Sequence, residues 1–240
     1  MPSFRLAIVI LTLAGWLLAG SVFGQIVQSE TVTFPRLGKL IVKARENAGK
    51  RPEMMFLSEK TNKTIFSETI KDPQNLLLPD PINEGGFGPY LRFIVLRNTG
   101  TASPVIMAVA MYPGGSDNGY YLTLFTESGG RIVDLTPKPL LNNIQGGWYF
   151  GYLGPTYGYG LAEWAFIWGQ GEDEIHYSLH RYALYIYGLR DGKLMRTLRR
   201  ETRHKYHPQD AYRAFAELGI HVTDQRRRMP LYAEGLDVND

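Results

Sequence analysis

The sequence contains no cysteine. That absence closes several routes at once. No disulfide can form, no thiol nucleophile exists, and no thiolate metal site can be built. Lipid attachment through an N-terminal cysteine is closed as well. The short signatures of common chemistries are also missing: there is no Gly-x-Ser-x-Gly elbow, no His-Glu-x-x-His pair and no Gly-x-x-x-x-Gly-Lys phosphate loop. No catalytic residue, cofactor or metal is therefore expected. A strong charge of one sign is lacking too. The 26 Lys and Arg stand against 23 Asp and Glu, a net of +3. That balance is not the electrostatic footprint of a nucleic-acid binder.

What is present begins with a long apolar run. Arg5 precedes an uncharged stretch from Leu6 to Gly24. Val22 and Gly24 stand at the −3 and −1 places before Gln25, the layout of a secretory signal peptide over residues 1–24. About 20 apolar residues also suffice to span a bilayer, so an uncleaved N-terminal anchor is the alternative. Either way the body of the chain is expected in the periplasm or outside the cell, with membrane contact only if the segment is uncleaved.

The rest reads as one β-rich domain over residues 25–222. Residues 25–70 form an N-terminal hairpin region. Gln25 to Glu30 reads as a short polar lead. Leu40-Ile41-Val42 reads as a strand core, and Met54 to Glu68 as a hairpin turning at Lys60-Thr61-Asn62-Lys63. Residues 71–89 hold four prolines and three glycines, a connection without regular structure. Residues 90–206 carry two series of strands. The first runs Tyr90–Arg97, Pro104–Tyr112, Tyr120–Thr126 and Arg131–Leu135, with turn chemistry at Ser116-Asp117-Asn118-Gly119 and Ser128-Gly129-Gly130. The second runs Trp148–Leu153, Leu161–Trp168, Ile175–Tyr187 and Leu194–Leu198, with Asp191-Gly192 at the last turn. Residues 207–219 form one short helix, with Pro208 first inside, Gly219 just past the end and Ala211, Phe215 and Leu218 on one face. Residues 223–240 read as a polar tail.

The two series align at an offset near 62. Tyr120 to Ile132 lies over Tyr182 to Leu194, with Gly130 on Gly192 and Phe125 on Tyr187. Serial four-stranded units are what β-propeller blades require. Phe150-Gly151 followed by Gly154-Pro155, within units of this size, resembles the FG-GAP class of secreted β-propeller repeats over residues 85–206. The resemblance implies extracellular binding or scaffolding. The Asp-rich calcium loop of those repeats is absent here. The fold class is accordingly all-β: antiparallel meanders arranged as propeller-like blades, or else a sandwich or barrel, with one short C-terminal helix. A propeller needs roughly four to eight blades. This chain supplies fewer, so either a homo-oligomer or another β fold is expected.

Between Trp148 and Trp168, nine of 21 residues are aromatic. Trp148, Phe150 and Tyr152 alternate on one strand, and Trp164, Phe166 and Trp168 on the next. If the strands pair, the six rings would form one layer. The opposite faces carry Gly, Ala, Leu and Ile, so the layer reads as core. The loop between the strands has no aliphatic residue to bury, which leaves Tyr157 and Tyr159 as the aromatics to meet a ligand. Glu163 is the carboxylate nearest that loop. A hydrolytic role would need a second acid at a fixed separation, from Asp173 or Glu174. His176 and His180 lie four residues apart on an alternating segment. About 13 Å of strand separates them, too far for one ion with bonds near 2 Å. With Arg181 they read as a polar face for a sugar or anion. The basic residues from Arg196 to Lys205 read as protection of an edge strand. The expected function is an exported, non-catalytic protein that binds or scaffolds at the cell envelope, with a glycan or protein as partner. The alternative is a carbohydrate-active enzyme built on Glu163.

Overall fold

The computed structural model describes residues 25–47, 50–71, 90–112, 119–136, 138, 140–143, 146–169, 175, 178–190, 192–222, 224 and 227–229. The N-terminal apolar segment, most of the Pro/Gly-rich connection, the turn at 116–118, the acidic residues 172–174, His176 and the last eleven residues lie outside this set. Among the described residues no helix is long and apolar enough to cross a membrane.

The chain is all-β, built from three antiparallel sheets and one short helix, and none of the sheets closes into a barrel. The first sheet is the meander β1 (Gln25–Phe34), β2 (Gly38–Asn47), β3 (Lys50–Ser58) and β4 (Thr64–Thr69). The second is the meander β5 (Tyr90–Leu96), β6 (Val105–Tyr112), β7 (Gly119–Ser128) and β8 (Arg131–Asp134), with β9 (Leu140–Asn143) added along β7. The third is the meander β10 (Gly147–Tyr152), β11 (Tyr159–Ile167), β12 (Arg181–Arg190) and β13 (Lys193–Glu201), with β14 (Arg228–Met229) added to the β10 edge.

Alternation in each strand decides which layer it can occupy. In β2, Leu40, Val42 and Ala44 are fully buried while Lys39 is exposed and Lys43 half-buried. One apolar face suits an outer sheet. In β6 every residue from Val105 to Ala110 is buried. Such a strand needs cover on both sides, and it has it. Ile106, Ala108 and Ala110 pack with Phe34, Phe56 and Val42 of the first sheet. Val105, Met107 and Val109 pack with Trp148, Phe150 and Leu161 of the third. The second sheet is therefore the middle of a stack. Each large apolar side chain enclosed this way contributes about 1.5–3 kcal/mol.

The far face of the third sheet is covered by the C-terminal helix, Pro208–Leu218. Pro208 stands at its start and Gly219, at φ 72°, at its end, as the sequence indicates. Its backbone follows the 3-10 pattern: Asp210 N donates to His207 O at 2.9 Å and Gly219 N to Ala216 O at 3.0 Å. Two rows at three-residue spacing, Ala211/Ala214 and Tyr212/Phe215/Leu218, give this tighter helix its apolar face. Phe215 meets Trp164 edge to face, with ring centroids 5.7 Å apart.

Several expectations are corrected. Gln25 to Glu30 is not a lead but the start of β1, in register with β2 from Gln25↔Glu46 to Phe34↔Gly38. The strand expected from Ile175 begins only at Arg181, because Ser178 N donates to Ile175 O in a turn. Part of the expected tail is docked: Arg228 and Met229 pair with Tyr149 and Trp148. The Arg228 guanidinium lies 3.9 Å over the Tyr212 ring.

The aromatic layer is also different from the one anticipated. The hairpin register sets Trp148 opposite Glu163, Phe150 opposite Leu161 and Trp164 opposite Gly147. The rings therefore divide between two faces. Trp148 and Phe150 point to the second sheet, whereas Trp164 and Phe166 point to the helix side with Tyr149 and Tyr182. Those four are buried, as expected of core, but Tyr152 is 51% exposed and Trp168 is 47% exposed.

Candidate functional site

The β10–β11 loop is held by its own backbone. Leu153 N donates to Gly158 O at 2.7 Å, and Gly158 N donates to Gly154 O at 2.8 Å. Gly154 and Gly158 take φ values of 101° and 66°, which side chains rarely tolerate. This loop places Tyr152 and Tyr159 directly across from each other at the strand ends. Their rings lie 5.3 Å apart at an interplanar angle of 57°. Tyr159 is also packed by Gly100, where an added Cβ would fall 2.4 Å from Cδ2.

Beside this pair opens a cleft of about 490 Å³, within the ~300–1,000 Å³ range of small-molecule sites. Three segments distant in sequence meet there. The β10–β11 hairpin supplies Tyr149, Tyr152 and Tyr159, the β5–β6 loop supplies Asn98, and the chain after the helix supplies His221, Asp224 and Arg227. Asn98 is held at φ 55°. Arg227 donates from Nη2 to the Arg97 carbonyl, and its Nε pairs with Asp224 Oδ2 at 3.5 Å. Its Nη1 is shielded from solvent and has no acceptor among the described residues.

The residues singled out from sequence do not converge. Tyr159 lines the cleft and is 40% exposed. Tyr157 is half-buried and packs toward the helix side. Glu163 is only 4% exposed. The Tyr187 hydroxyl donates to its Oε2 at 2.6 Å. Burial pushes its carboxyl up to about 7, against the opposing effects of Tyr187, Arg196 and Trp148. Among the described residues no other carboxylate acts on it, and Asp173 and Glu174 lie outside the described residues. His180 is fully buried rather than part of a polar face. Its ring packs beside Phe166 and Trp168, and its Nε2 lies 3.0 Å from the Ile175 carbonyl. His176 is outside the described residues. Arg181 is bound to β13, donating from Nε to Thr202 O at 2.7 Å and pairing with Glu201. No cluster of three or more metal-ligating side chains occurs among the described residues.

Sequence reasoning missed Tyr152 as a surface group, along with Asn98, His221 and Asp224. Arg227, which lines the site, belongs to a run of three arginines in the sequence, and the glycines around Pro155 mark the loop. Nothing local ties these segments together. No known protein family, curated protein or solved structure matches this chain.

Proposed function

We propose that this chain is an exported, non-catalytic binding protein of the cell envelope, and that it takes its ligand in the cleft beside Tyr152 and Tyr159. The observation that carries the reading is the exposed tyrosine pair beside a cleft lined by Asn98, His221, Asp224 and Arg227. Aromatic side chains that keep one face open, next to a few convergent polar groups, are the usual make-up of a ligand site. Export is supported by the apolar segment before Gln25.

The same reading takes the three meanders as copies of one blade-like unit. Under the offset of 62, β7 corresponds to β12 and β8 to β13. Both hairpins turn through two residues, between Ser128 and Arg131 and between Arg190 and Lys193.

A hydrolase built on Glu163 is the weaker reading. Glycoside hydrolysis needs two carboxylates flanking a substrate, and Glu163 is enclosed between sheets. The test of the binding reading is to titrate the exported protein with solubilised envelope glycans and envelope peptides while following the tyrosine resonances by NMR. Shifts confined to Tyr152 and Tyr159 are expected. Binding that leaves both unmoved would place the site elsewhere.

A further inference from the structure

We propose that the β13 edge of the third sheet is a second binding surface, separate from the cleft, and that it takes a linear anionic polysaccharide laid along the strand. β13 and β14 are opposite edges of that sheet, and the cleft residue Arg227 immediately precedes β14.

Positive charge is concentrated on this edge. From Lys193 to Lys205 the chain has six Lys and Arg and one acid, Glu201. Lys193, Arg196, Arg199, Arg200 and Arg203 are all exposed. Glu201 is shared by Arg199 at 3.2 Å and Arg181 at 3.5 Å. Arg196 also acts on the buried Glu163. Glu217 of the helix is engaged by the backbone N–H groups of Arg203 and His204 and by the His204 and Tyr206 side chains. The side chains of Lys193, Arg196, Arg200 and Arg203 form no ion pair among the described residues. The edge keeps an excess of positive charge after every one of these acids is counted.

Protection of an edge accounts for charge but not for this choice of residues. Edges are blunted most often with Lys. Three of the four bases of β13 are Arg, whose planar fork meets an oxyanion with two bonds where Lys offers a point charge. Arg196 and Arg199 are held over the Tyr185 ring, 5.6 and 5.9 Å from its centre. A guanidinium stacked in this way is already ordered, so less freedom is lost on binding.

The arrangement selects the partner. Register sets Arg196 opposite Tyr187 and Arg199 opposite Tyr185, on the face toward the second sheet. Arg200 stands opposite Leu184, and Lys193 alternates with Leu194, which puts both on the helix side. The bases therefore straddle the edge of a nine-residue strand, about 30 Å long at ~3.3 Å per residue. A flat bilayer would meet only one of the two faces. A peptide strand would need the outer ladder, and that ladder is interrupted. Leu194 N already donates to Leu135 O at 2.9 Å, and Thr197 is the extra residue of a bulge. A single nucleic-acid strand would need open aromatic rings on which to stack its bases. β13 has no aromatic residue, and Tyr185 lies under the two arginines. A polysaccharide chain bearing carboxylates needs neither a ladder nor a stacking platform, and bases on both faces can clasp it.

The experiment titrates the protein by calorimetry with polygalacturonate, neutral dextran, oligothymidylate and phosphatidylglycerol vesicles, while Tyr152, Tyr159 and Tyr185 are followed by NMR. Polygalacturonate alone is expected to move Tyr185, and to lose tenfold or more in affinity between about 50 and 200 mM salt. Lys193→Gln with Arg200→Gln leaves the Tyr185 stack in place and should flatten the slope of log affinity against log salt by about two. Arg196→Lys with Arg199→Lys should keep the slope and lose affinity. Equal or tighter binding of dextran, oligothymidylate or vesicles at Tyr185 would overturn the polysaccharide class. An unchanged slope in the glutamine variant, or polygalacturonate that leaves Tyr185 unmoved, would overturn the edge as the site. Undiminished affinity in the lysine variant would overturn recognition by the guanidinium fork. Self-association of the glutamine variant, with no probe binding the parent, would reduce the arginines to edge protection. Tyr152 and Tyr159 report on the cleft in high salt, where the edge has released its polymer, so each surface is tested without the other.

Discussion

The Tyr187 hydroxyl donates to Glu163 Oε2 at 2.6 Å within the interface of the second and third sheets. The carboxyl is therefore buried with a donor but without a full counter-charge, and burial moves it from 4.5 to about 7. Between those values the folded chain holds a proton that the unfolded chain has released. Stability then falls as pH rises through that window, by about 3 kcal/mol at ~1.36 kcal/mol per pH unit, and levels off above it. Glu163→Gln removes the titration and keeps an acceptor for Tyr187. Urea denaturation at pH 5 and pH 8 should show the parent losing more stability than the variant. Equal pH dependence of the two would mean that the carboxyl titrates normally.

Trp164 lies within β11 and Trp168 one residue past its end, and the two should behave differently. Trp164 is buried against Phe215, so Trp164→Ala should cost about 3–5 kcal/mol. Trp168 is 47% exposed, and Trp168→Ala should cost less than half of that. Thermal melts of the pair decide it. Equal losses would show that the exposed ring is as much a part of the core as the enclosed one.

Gly151, Gly160 and Gly188 form a row across β10, β11 and β12. A Cβ on Gly160 would lie 2.3 Å from the Tyr187 carbonyl oxygen, a backbone atom that cannot yield alone. A Cβ on Gly188 would meet only the Thr197 methyl at 3.5 Å. Gly160→Ala should therefore destabilise by about 1–3 kcal/mol, and Gly188→Ala should leave the urea midpoint nearly unchanged. The opposite order would refute the packing described for this end of the sheet.

Both outer surfaces of the stack are already finished, one by a polar sheet face and the other by the helix. The strand edges are blunted as well. Gln28 bonds both Phe93 N and Phe93 O at the β5 edge, at 2.8 and 2.7 Å, and Glu46 accepts from Leu91 N. β14 covers part of β10, and exposed arginines line β13. Sedimentation velocity of the protein should show a monomer. A stable dimer at micromolar concentration would identify a contact surface that these edges do not reveal.

Turn chemistry made much of the fold readable in advance. Gly129 and Gly130, both at positive φ, fix the β7–β8 hairpin, and Asn62 at φ 54° sits in the β3–β4 turn. Pro104–Tyr112 was read only as one strand of a series, and its enclosure on both faces is seen from the two clusters that it joins. Register was not readable. Alternation placed Trp148 with Phe150, and Trp164 with Phe166, but only the one-residue offset that sets Trp148 against Glu163 decides that the pairs lie on opposite faces. β1 was missed because its first residues are polar or exposed, and its anchors, Val32 and Phe34, come late. His180 was taken for a polar face because alternation says nothing of a turn that tucks the ring behind Trp168. The cleft draws on residues from 98 to 227, a juxtaposition that no local pattern encodes.

The order of the layers has a consequence for how the chain comes together during synthesis. The first sheet is complete at Thr69, but its inner face has no cover until the second sheet follows. The second waits in the same way for the third, and the third waits for the helix that ends at Leu218. Each layer is the lid of the one made before it, so closure travels toward the C-terminus and finishes only when Ala211, Ala214 and Phe215 arrive. Until those last small and aromatic residues emerge, a sheet face carrying Trp164, Tyr182 and Leu184 stands open to solvent. The nascent protein is thus at its stickiest just before it is finished, which is when a chaperone would have most to hold.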